Sequence, residues 1–313
     1  HNRIPMTTSP PLKTWLPSWI FLTIVWGLSF FFIKVAGESL SPLQIAFGRV
    51  ALGTLTVLII LLIIQQKLPN TKKAWVRANI AGFLQHTAPF ALIAYGETHV
   101  TSVLAGITNA ATPLWTAIFS MTFIPKDKIT QNEYIGVMTG FIGVLVLIGI
   151  WEGNTGETEL IGVLAVLIAT ACYGAVVIYT RAKVTELGFS PSSFIGAQLT
   201  SSSVQLLILC LLFTTIPSAI SLSTTWAILF LGIFSTGLAF PLVYKIIRDV
   251  SSLAAATITY ATPIVSTLAG VIFLSEGLRW YQLIGAALIL LGVALVQGIT
   301  FSSVWSRRGD LNP

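Results

Sequence analysis

Two ionisable side chains lie well inside long apolar segments of this sequence. Arg49 stands about two helical turns into one segment, and His86 lies near the middle of the next. An ionisable group at membrane depth is costly and is usually paired or functional. Arg49 could snorkel outward, or brace helices by pairing with a loop acid such as Glu38 or Glu97, or it could hold a substrate carboxylate. His86 could pack among other side chains, or it could line a pathway and sense protons.

Two prolines at equivalent places could expose polar backbone groups. The tripeptide Ala-Thr-Pro occurs twice, 150 residues apart, ending at Pro113 and Pro263. Proline removes the hydrogen bond to the carbonyl four residues earlier and clashes with it. The carbonyls freed in this way belong to Asn109 and Thr259. We therefore predict helix breaks at both prolines and a cavity wall beside them, although a simple packing kink is the alternative.

Several further polar and aromatic residues lie deep in apolar segments. Trp26 and Tyr173 are among them and occupy equivalent places in the two halves of the chain. Tryptophan and tyrosine at the ends of membrane spans are usually interfacial anchors, but these two lie deeper. The complete predicted substrate cavity comprises Trp26, Arg49, His86, Asn109, Tyr173, Gln198, Phe240, Thr259 and Tyr260.

The acidic residues and the cysteines argue against several kinds of chemistry. All eleven Asp and Glu residues fall in loops or tails, so none is placed as an intramembrane proton carrier. An intramembrane aspartyl protease would need an acid pair inside the membrane. Cys172 and Cys210 lie inside apolar segments and form no metal-binding spacing. The sequence therefore predicts no catalytic residues, no metal and no cofactor.

The composition indicates that most of the chain is surrounded by lipid. Only 9% of the residues are charged and 55% are hydrophobic, whereas soluble domains carry about 25% charged residues. The net charge of +6 could suggest a nucleic-acid partner. The basic residues lie in short loops between apolar segments, however, and this distribution fits membrane orientation better. We expect a lipid bilayer as the partner and no nucleic acid.

Ten apolar segments approach the length of about 20 residues that a membrane-spanning helix needs. The predicted spans are residues 18–36, 43–65, 75–95, 101–123, 131–150, 160–181, 192–213, 224–244, 252–274 and 280–300.

The basic residues predict the orientation of these spans. Cytoplasmic loops carry an excess of Lys and Arg. With the N-terminus inside, the outer loops hold only Lys34 and Arg279, and Arg49 lies within a span. The inner segments hold Arg3, Lys13, Lys67, Lys72, Lys73, Arg77, Lys126, Lys128, Arg181, Lys183, Lys245, Arg248, Arg307 and Arg308. We therefore expect both termini in the cytoplasm.

The chain is predicted to be an internal duplication. Matched glycines and the repeated Ala-Thr-Pro recur at a shift of about 150 residues. Five spans per half is an odd number, so the second copy would enter the membrane from the opposite side, as in inverted-repeat transporters. The predicted organisation is a tail (1–17), a first repeat (18–150), an outer linker (151–159), a second repeat (160–300) and a tail (301–313).

These motifs resemble the drug/metabolite transporter superfamily of the EamA type. The resemblance rests on Trp26-Gly27 with Lys34, on Pro42 followed by Arg49, on the Ala-Thr-Pro and on the repeated glycines of the fifth and tenth spans. It implies an all-α integral membrane protein with ten transmembrane helices, arranged as two inverted five-helix repeats around a central cavity. It also implies that the third, fourth, eighth and ninth helices line the pathway. No basic residue matches Arg49 in the second half.

The leading hypothesis is a transporter that exports small amphipathic metabolites, chiefly amino acids, across the plasma membrane by alternating access. A bacterial inner membrane is the expected location, and protons are a candidate coupling ion. One alternative is a sugar-phosphate or nucleotide-sugar antiporter, which would need more cations than Arg49 inside the cavity. A membrane-embedded enzyme is the other, but His86 has no evident catalytic partner.

Overall fold

A computed structural model describes residues 12–123, 130–149, 157–250, 255 and 257–297 of the 313. All regular secondary structure within these ranges is helical. The basic residues Lys126 and Lys128, the linker start and both extreme tails lie outside the described residues.

The first half contains helices joined by short turns. A π-helical stretch, Phe83–Thr87, connects α3 and α4 without interrupting the helical path. The helices are α1 (Leu12–Ala36), α2 (Pro42–Ile63), α3 (Lys72–Gly82), α4 (Ala88–Gly96), α5 (Ser102–Asn109), α6 (Thr112–Phe123) and α7 (Gln131–Ile148).

The second half has a similar arrangement. A π-helical stretch continues α8 over Thr180–Val184, and another, Phe230–Leu238, joins α10 to α11. The helices are α8 (Glu157–Tyr179), α9 (Pro191–Phe213), α10 (Leu222–Leu229), α11 (Ala239–Asp249), α12 (Ile258–Leu274) and α13 (Trp280–Val296).

The predicted spans agree with these helices in position but differ at their ends. The helix α1 extends back to Leu12, into the predicted tail. Four acids predicted to lie in loops instead fall within α-helices. Asp249 is the last residue of α11, and Glu133, Glu157 and Glu159 fall in the first turns of α7 and α8. Acidic side chains are favoured there because the N-terminus of a helix carries a partial positive charge.

Side-chain caps explain where several helices begin. Thr71, Thr101, Thr130, Ser190 and Ser221 precede α3, α5, α7, α9 and α10, and each side chain accepts a hydrogen bond from a backbone N–H in the first turn. These caps satisfy backbone donors that have no partner within the helix. Polar turns between apolar segments therefore set the helix boundaries.

By length and composition, six helical segments within the described ranges are long and apolar enough to cross a membrane. They are Thr14–Ala36, Pro42–Ile63, Gln131–Ile148, Thr158–Leu187, Pro191–Phe213 and Leu222–Asp249. The helices α12 and α13 are shorter and also apolar. Many large apolar side chains are exposed, including Leu62, Leu211 and Phe213. Exposed apolar surface of this extent fits a lipid environment.

Helices of the two halves pack against each other rather than forming two separate bundles. The helix α1 packs on α12, α2 on α9, α4 on α8 and α7 on α13. The glycines predicted to be packing positions lie at the last of these contacts. A β-carbon on Gly136 would stand 2.6 Å from the carbonyl oxygen of Gly292, so only glycine permits this approach.

Candidate functional site

A cavity of about 240 Å³ lies between helices of both halves. It includes side chains from the third, fourth, eighth and ninth predicted spans, and also from α1, α2 and α8. It is lined by Trp26, Ser29, Phe30, Ile33, Arg49, Gln85, Phe90, Ile93, Gly106, Asn109, Ala110, Thr112, Tyr173, Val177, Phe240, Thr259, Thr262 and Pro263.

Arg49 provides the positive charge of this cavity and is 6% exposed. Its Nε donates to the hydroxyl of Thr236 at 2.9 Å, and its Nη2 donates to the hydroxyl of Ser235 at 3.0 Å. Its guanidinium carbon stands 3.8 Å from the ring centroid of Phe90. Among the described residues it forms no salt bridge, so the predicted alternative of pairing with Glu38 or Glu97 is wrong.

A π-helical stretch supplies the hydroxyls that hold Arg49. The hydroxyl of Thr236 donates to the carbonyl of Leu231, five residues earlier, at 2.9 Å, and its oxygen is thereby oriented toward Arg49. The hydroxyls of Ser235 and Ser29 are 2.5 Å apart and link this stretch to α1. The helix α2 can approach this stretch because Gly53 has no side chain. A β-carbon at Gly53 would stand only 2.6 Å from the methyl group of Thr236.

Aromatic side chains form the apolar part of the wall. The indole of Trp26 donates from Nε1 to the carbonyl of Ser235 at 3.1 Å, and its ring lies 6.2 Å from that of Phe240. Tyr173 faces the same cavity from α8 and is half-buried. Indole and phenyl groups offer large apolar contact areas to a ligand. The predicted residues Trp26, Tyr173 and Phe240 are thus brought together with Arg49.

His86 does not line the cavity but stands behind its wall. It is fully buried, with its ring centroid 4.7 Å from that of Phe240 and 5.6 Å from that of Phe90. Both ring nitrogens lack a hydrogen-bond partner within the described part of the chain. The ring therefore packs as an aromatic group, and the predicted pore-lining position is wrong.

Asn109 lines the cavity at the point where α5 ends. The helical path is interrupted at residues 110–111, and α6 resumes at Thr112, one residue before Pro113. The predicted break beside Pro113 is therefore present. The carbonyl of Asn109, which the break was predicted to free, nevertheless has a partner, because the hydroxyl of Thr112 donates to it at 2.9 Å. The amide oxygen Oδ1 of Asn109 is buried and has no hydrogen-bond partner among the residues described.

The matching site in the second half has a different structure. Pro263 lies inside α12, which continues through it, so the predicted helix break is absent there. Pro263 still lines the cavity together with Thr259 and Thr262. The hydroxyl of Thr262 donates to the carbonyl of Ile258, four residues earlier in the same helix, at 2.9 Å. The two Ala-Thr-Pro sites are therefore equivalent in sequence but not in shape.

Two predicted cavity residues lie elsewhere. Gln198 is 3% exposed and lies on α9, where its backbone carbonyl would be 2.6 Å from a β-carbon at Gly82. It belongs to the contact between α3 and α9 and is not part of the cavity lining. Tyr260 is half-buried, and its hydroxyl donates to the side-chain oxygen of Gln297 at 3.0 Å. The side chain of Tyr260 therefore faces α13 instead of the cavity.

The sequence prediction missed the hydroxyl groups that hold Arg49. Ser29, Ser235 and Thr236 are fully or almost fully buried within apolar helical segments. A run of hydroxyl residues in an apolar segment close to Phe240 is the signal that could have indicated them. Within the described ranges, no group of three or more His, Cys, Asp or Glu residues could hold a metal ion.

Comparison with known proteins identifies the class. The model of the EamA-like transporter family matches residues 14–149 and again 160–298, so this chain belongs to that family. It is a membrane transporter with an all-helical fold. One solved crystal structure superposes with a TM-score of 0.64 at 20% identity and covers 95% of this chain and 98% of the other. That likeness concerns the fold alone.

Several of its curated relatives are also transporters by name. An uncharacterized transporter of Archaeoglobus fulgidus is 28% identical over 291 residues, which is 90% of this chain and 99% of the relative. The uncharacterized inner membrane transporter YedA of Escherichia coli is 26% identical over 88% of both chains. Protein PecM of Dickeya dadantii is 23% identical, covering 92% of this chain and 93% of PecM.

Proposed function

We propose that this protein carries small amphipathic metabolites with a carboxylate group, amino acids above all, out of the cell across the plasma membrane. The observation that carries this proposal is the position of Arg49 and the neutral character of its hydrogen-bond partners. It lies in the wall of the cavity, yet its hydrogen bonds go to neutral hydroxyl groups. A buried cation that is not neutralised attracts an anion, and arginine suits a carboxylate because its planar donors match two oxygens.

Other groups in the wall suit the remainder of such a substrate. The unpaired amide oxygen of Asn109 lacks a donor, and a substrate ammonium group would supply one. Thr259 adds a hydroxyl from the other half of the chain. Trp26, Tyr173 and Phe240 would pack against an apolar side chain. An amino acid carries these three kinds of group within a short distance.

The size of the cavity favours a small substrate. Its volume of about 240 Å³ is below the roughly 300–1,000 Å³ of pockets that hold drug-sized ligands. A nucleotide sugar would exceed this space and would bring two phosphates to a single arginine. Among the described residues, Arg49 is the only cation that lines the cavity. The sugar-phosphate and nucleotide-sugar alternative is therefore much less favoured.

Transport would proceed by alternating access. Ten spans in two inverted repeats, with both termini in the cytoplasm, would place the cavity at the interface between the repeats. Rocking of one repeat against the other would then open the cavity to each side in turn. Because α1 packs on α12 and α2 on α9, this movement would shift helices of one half against helices of the other.

A transport assay tests the proposal. Purified protein in liposomes preloaded with radiolabelled amino acids should release them faster than protein-free liposomes do. The panel should pair each amino acid with its amide, which lacks the carboxylate charge, and should include sugar phosphates. We expect release of acids in preference to their amides. Release of sugar phosphates alone, or of no compound in the panel, would refute amino-acid export.

A further inference from the structure

Glu97 is a buried acid that the site described above does not use. It lies in the turn between α4 and α5 and is only 2% exposed. Both of its carboxyl oxygens are buried without a hydrogen-bond partner in the described part of the chain. A buried carboxylate that lacks donors is strongly disfavoured, so such a group takes up a proton and becomes neutral.

The charged groups around Glu97 are engaged elsewhere. The ammonium group of Lys34, at the end of α1, donates to the backbone carbonyls of Glu97 and Val100 instead of to the carboxyl group. Arg49 donates to hydroxyls, as described above. Burial raises the pKa of the Glu97 carboxyl well above its usual range, the charge of Lys34 opposes this rise, and that of Glu276 adds to it.

Glu276, from the second half of the chain, binds the start of α5 in the first half, next to the turn that holds Glu97. We call this contact between the two halves the junction. From the turn before α13, the carboxylate of Glu276 accepts hydrogen bonds from the backbone N–H groups of Ser102 and Val103, at 2.9 and 3.0 Å, and from the Ser102 hydroxyl at 2.8 Å. It thereby caps the N-terminus of α5. Glu276 is satisfied in this arrangement, whereas Glu97, in the adjoining turn, is not.

The junction lies at one end of the cavity, about one helical turn beyond residues that line it. The helices α1, α4 and α5 all contribute lining residues, namely Ile33, Ile93 and Gly106, and these helices meet at the turn that holds Glu97. In the predicted orientation this is the outer end. Opening this end would separate the turn from Glu276 and Lys34 and would admit water to the buried carboxyl group.

We propose that Glu97 is a proton-binding site that couples the opening of this end of the cavity to proton release. With the end closed, the carboxyl group is neutral. When the end opens, the O–H bond breaks, the proton passes to water, and the carboxylate remains hydrated. Closing requires that a proton return to Glu97 from the same side. This inference rests on the proposed transport function.

Two transport measurements test the coupling. Substrate exchange at equal pH on both sides reports on transport itself, whereas the dependence of release on the outside pH reports on coupling. The variant Glu97→Gln keeps the shape of the neutral acid but cannot release a proton. The variant Glu38→Gln changes an exposed acid in the turn after α1 and is the matched control.

We expect Glu97→Gln to retain exchange and to lose the dependence of release on the outside pH, whereas the wild type and Glu38→Gln keep both. A dependence on the outside pH that persists in Glu97→Gln, or that is absent from the wild type, would overturn the proposal.

An infrared measurement tests the proton site without any substrate. A protonated carboxyl group has a carbonyl stretching band that a carboxylate lacks. Purified wild-type protein and Glu38→Gln should keep this band at neutral pH, and Glu97→Gln should lack it. If the band is present but no metabolite is transported, the transport proposal fails while the proton site stands. If the wild type shows no such band at neutral pH, the site itself is refuted.

Discussion

Arg49 can keep its charge inside an apolar segment because its surroundings replace water. Two hydroxyls accept its hydrogen bonds, and the face of Phe90 lies against its guanidinium group. A cation over an aromatic ring gains about 2 kcal/mol or more when both are desolvated. Neither contact neutralises the charge. The arrangement therefore holds a cation at the cavity and leaves its field available to an anion.

Asn109 provides a test of whether the cavity is built for a ligand or for stability. We expect Asn109→Leu to leave the unfolding temperature unchanged or higher, because it removes a buried acceptor that has no partner. We expect the same change to lower the transport rate. Thermal unfolding in detergent and exchange in liposomes measure the two effects. A variant that loses stability but keeps transport would show that Asn109 acts in packing alone.

His86 is expected to tolerate an apolar aromatic replacement. Its ring contacts Phe90 and Phe240, and neither nitrogen has a partner within the described ranges. The variant His86→Phe should therefore keep transport within a few-fold of the wild type. The variant His86→Lys should unfold at a lower temperature, since it would bury a second cation near Arg49. Loss of transport in His86→Phe with normal stability would show that this histidine acts directly in transport.

Most of the residues predicted from type and depth do line the cavity, but type and depth do not tell which side of a helix each residue faces. Arg49, Asn109, Trp26 and Phe240 were predicted and do line the cavity. Gln198 was also predicted, because it is polar and deep in a span, yet it does not line the cavity and its backbone lies at the contact with α3. How deep a residue lies in the membrane can be predicted from its position in an apolar segment. The direction of a side chain depends on helix rotation, which tertiary packing sets.

At the scale of elements, the contact between α7 and α13 depends on glycine. A β-carbon at Gly143 would lie 2.7 Å from the backbone nitrogen of Ile289, and a backbone atom cannot rotate away. The variant Gly143→Ala should therefore force the helices apart and reduce the free energy of unfolding by about 1–3 kcal/mol, as overpacking usually does.

Chemical denaturation in detergent measures this loss. The variant Gly277→Ala is the matched control, because nothing lies within 4 Å of its β-carbon position. Equal stabilities of the two variants would mean that α7 and α13 can separate without cost.

The two prolines illustrate what a repeated motif does and does not predict. The identical tripeptides correctly indicated equivalent places on the cavity wall, since Thr112 and Thr262 both line it. Proline chemistry alone predicted the same break twice. In the first half α5 ends at Asn109, before Pro113, whereas in the second half α12 continues through Pro263. In the first half the hydroxyl of Thr112 donates to the carbonyl of Asn109. Which structure each site adopts depends on packing that the motif does not contain.

At the scale of the whole molecule, the predicted orientation assigns every loop to one side of the membrane. In a variant with Cys172 and Cys210 replaced by serine, single cysteines at Glu38 and Lys72 should lie on opposite sides of the membrane. A membrane-impermeant maleimide added to intact cells should label the first and not the second. Labelling of both positions from outside, or of Lys72→Cys alone, would contradict the orientation.

The central claim is that Arg49 binds the carboxylate of the transported molecule. It is tested most directly by measuring exchange of an amino acid and of its amide, by the wild type and by Arg49→Gln. A hydrogen bond to a charged group contributes about 1.5–3 kcal/mol, which corresponds to roughly a 10–100-fold preference for the acid. We predict this preference in the wild type and its disappearance in Arg49→Gln. An equal loss of both compounds in the variant would contradict the account.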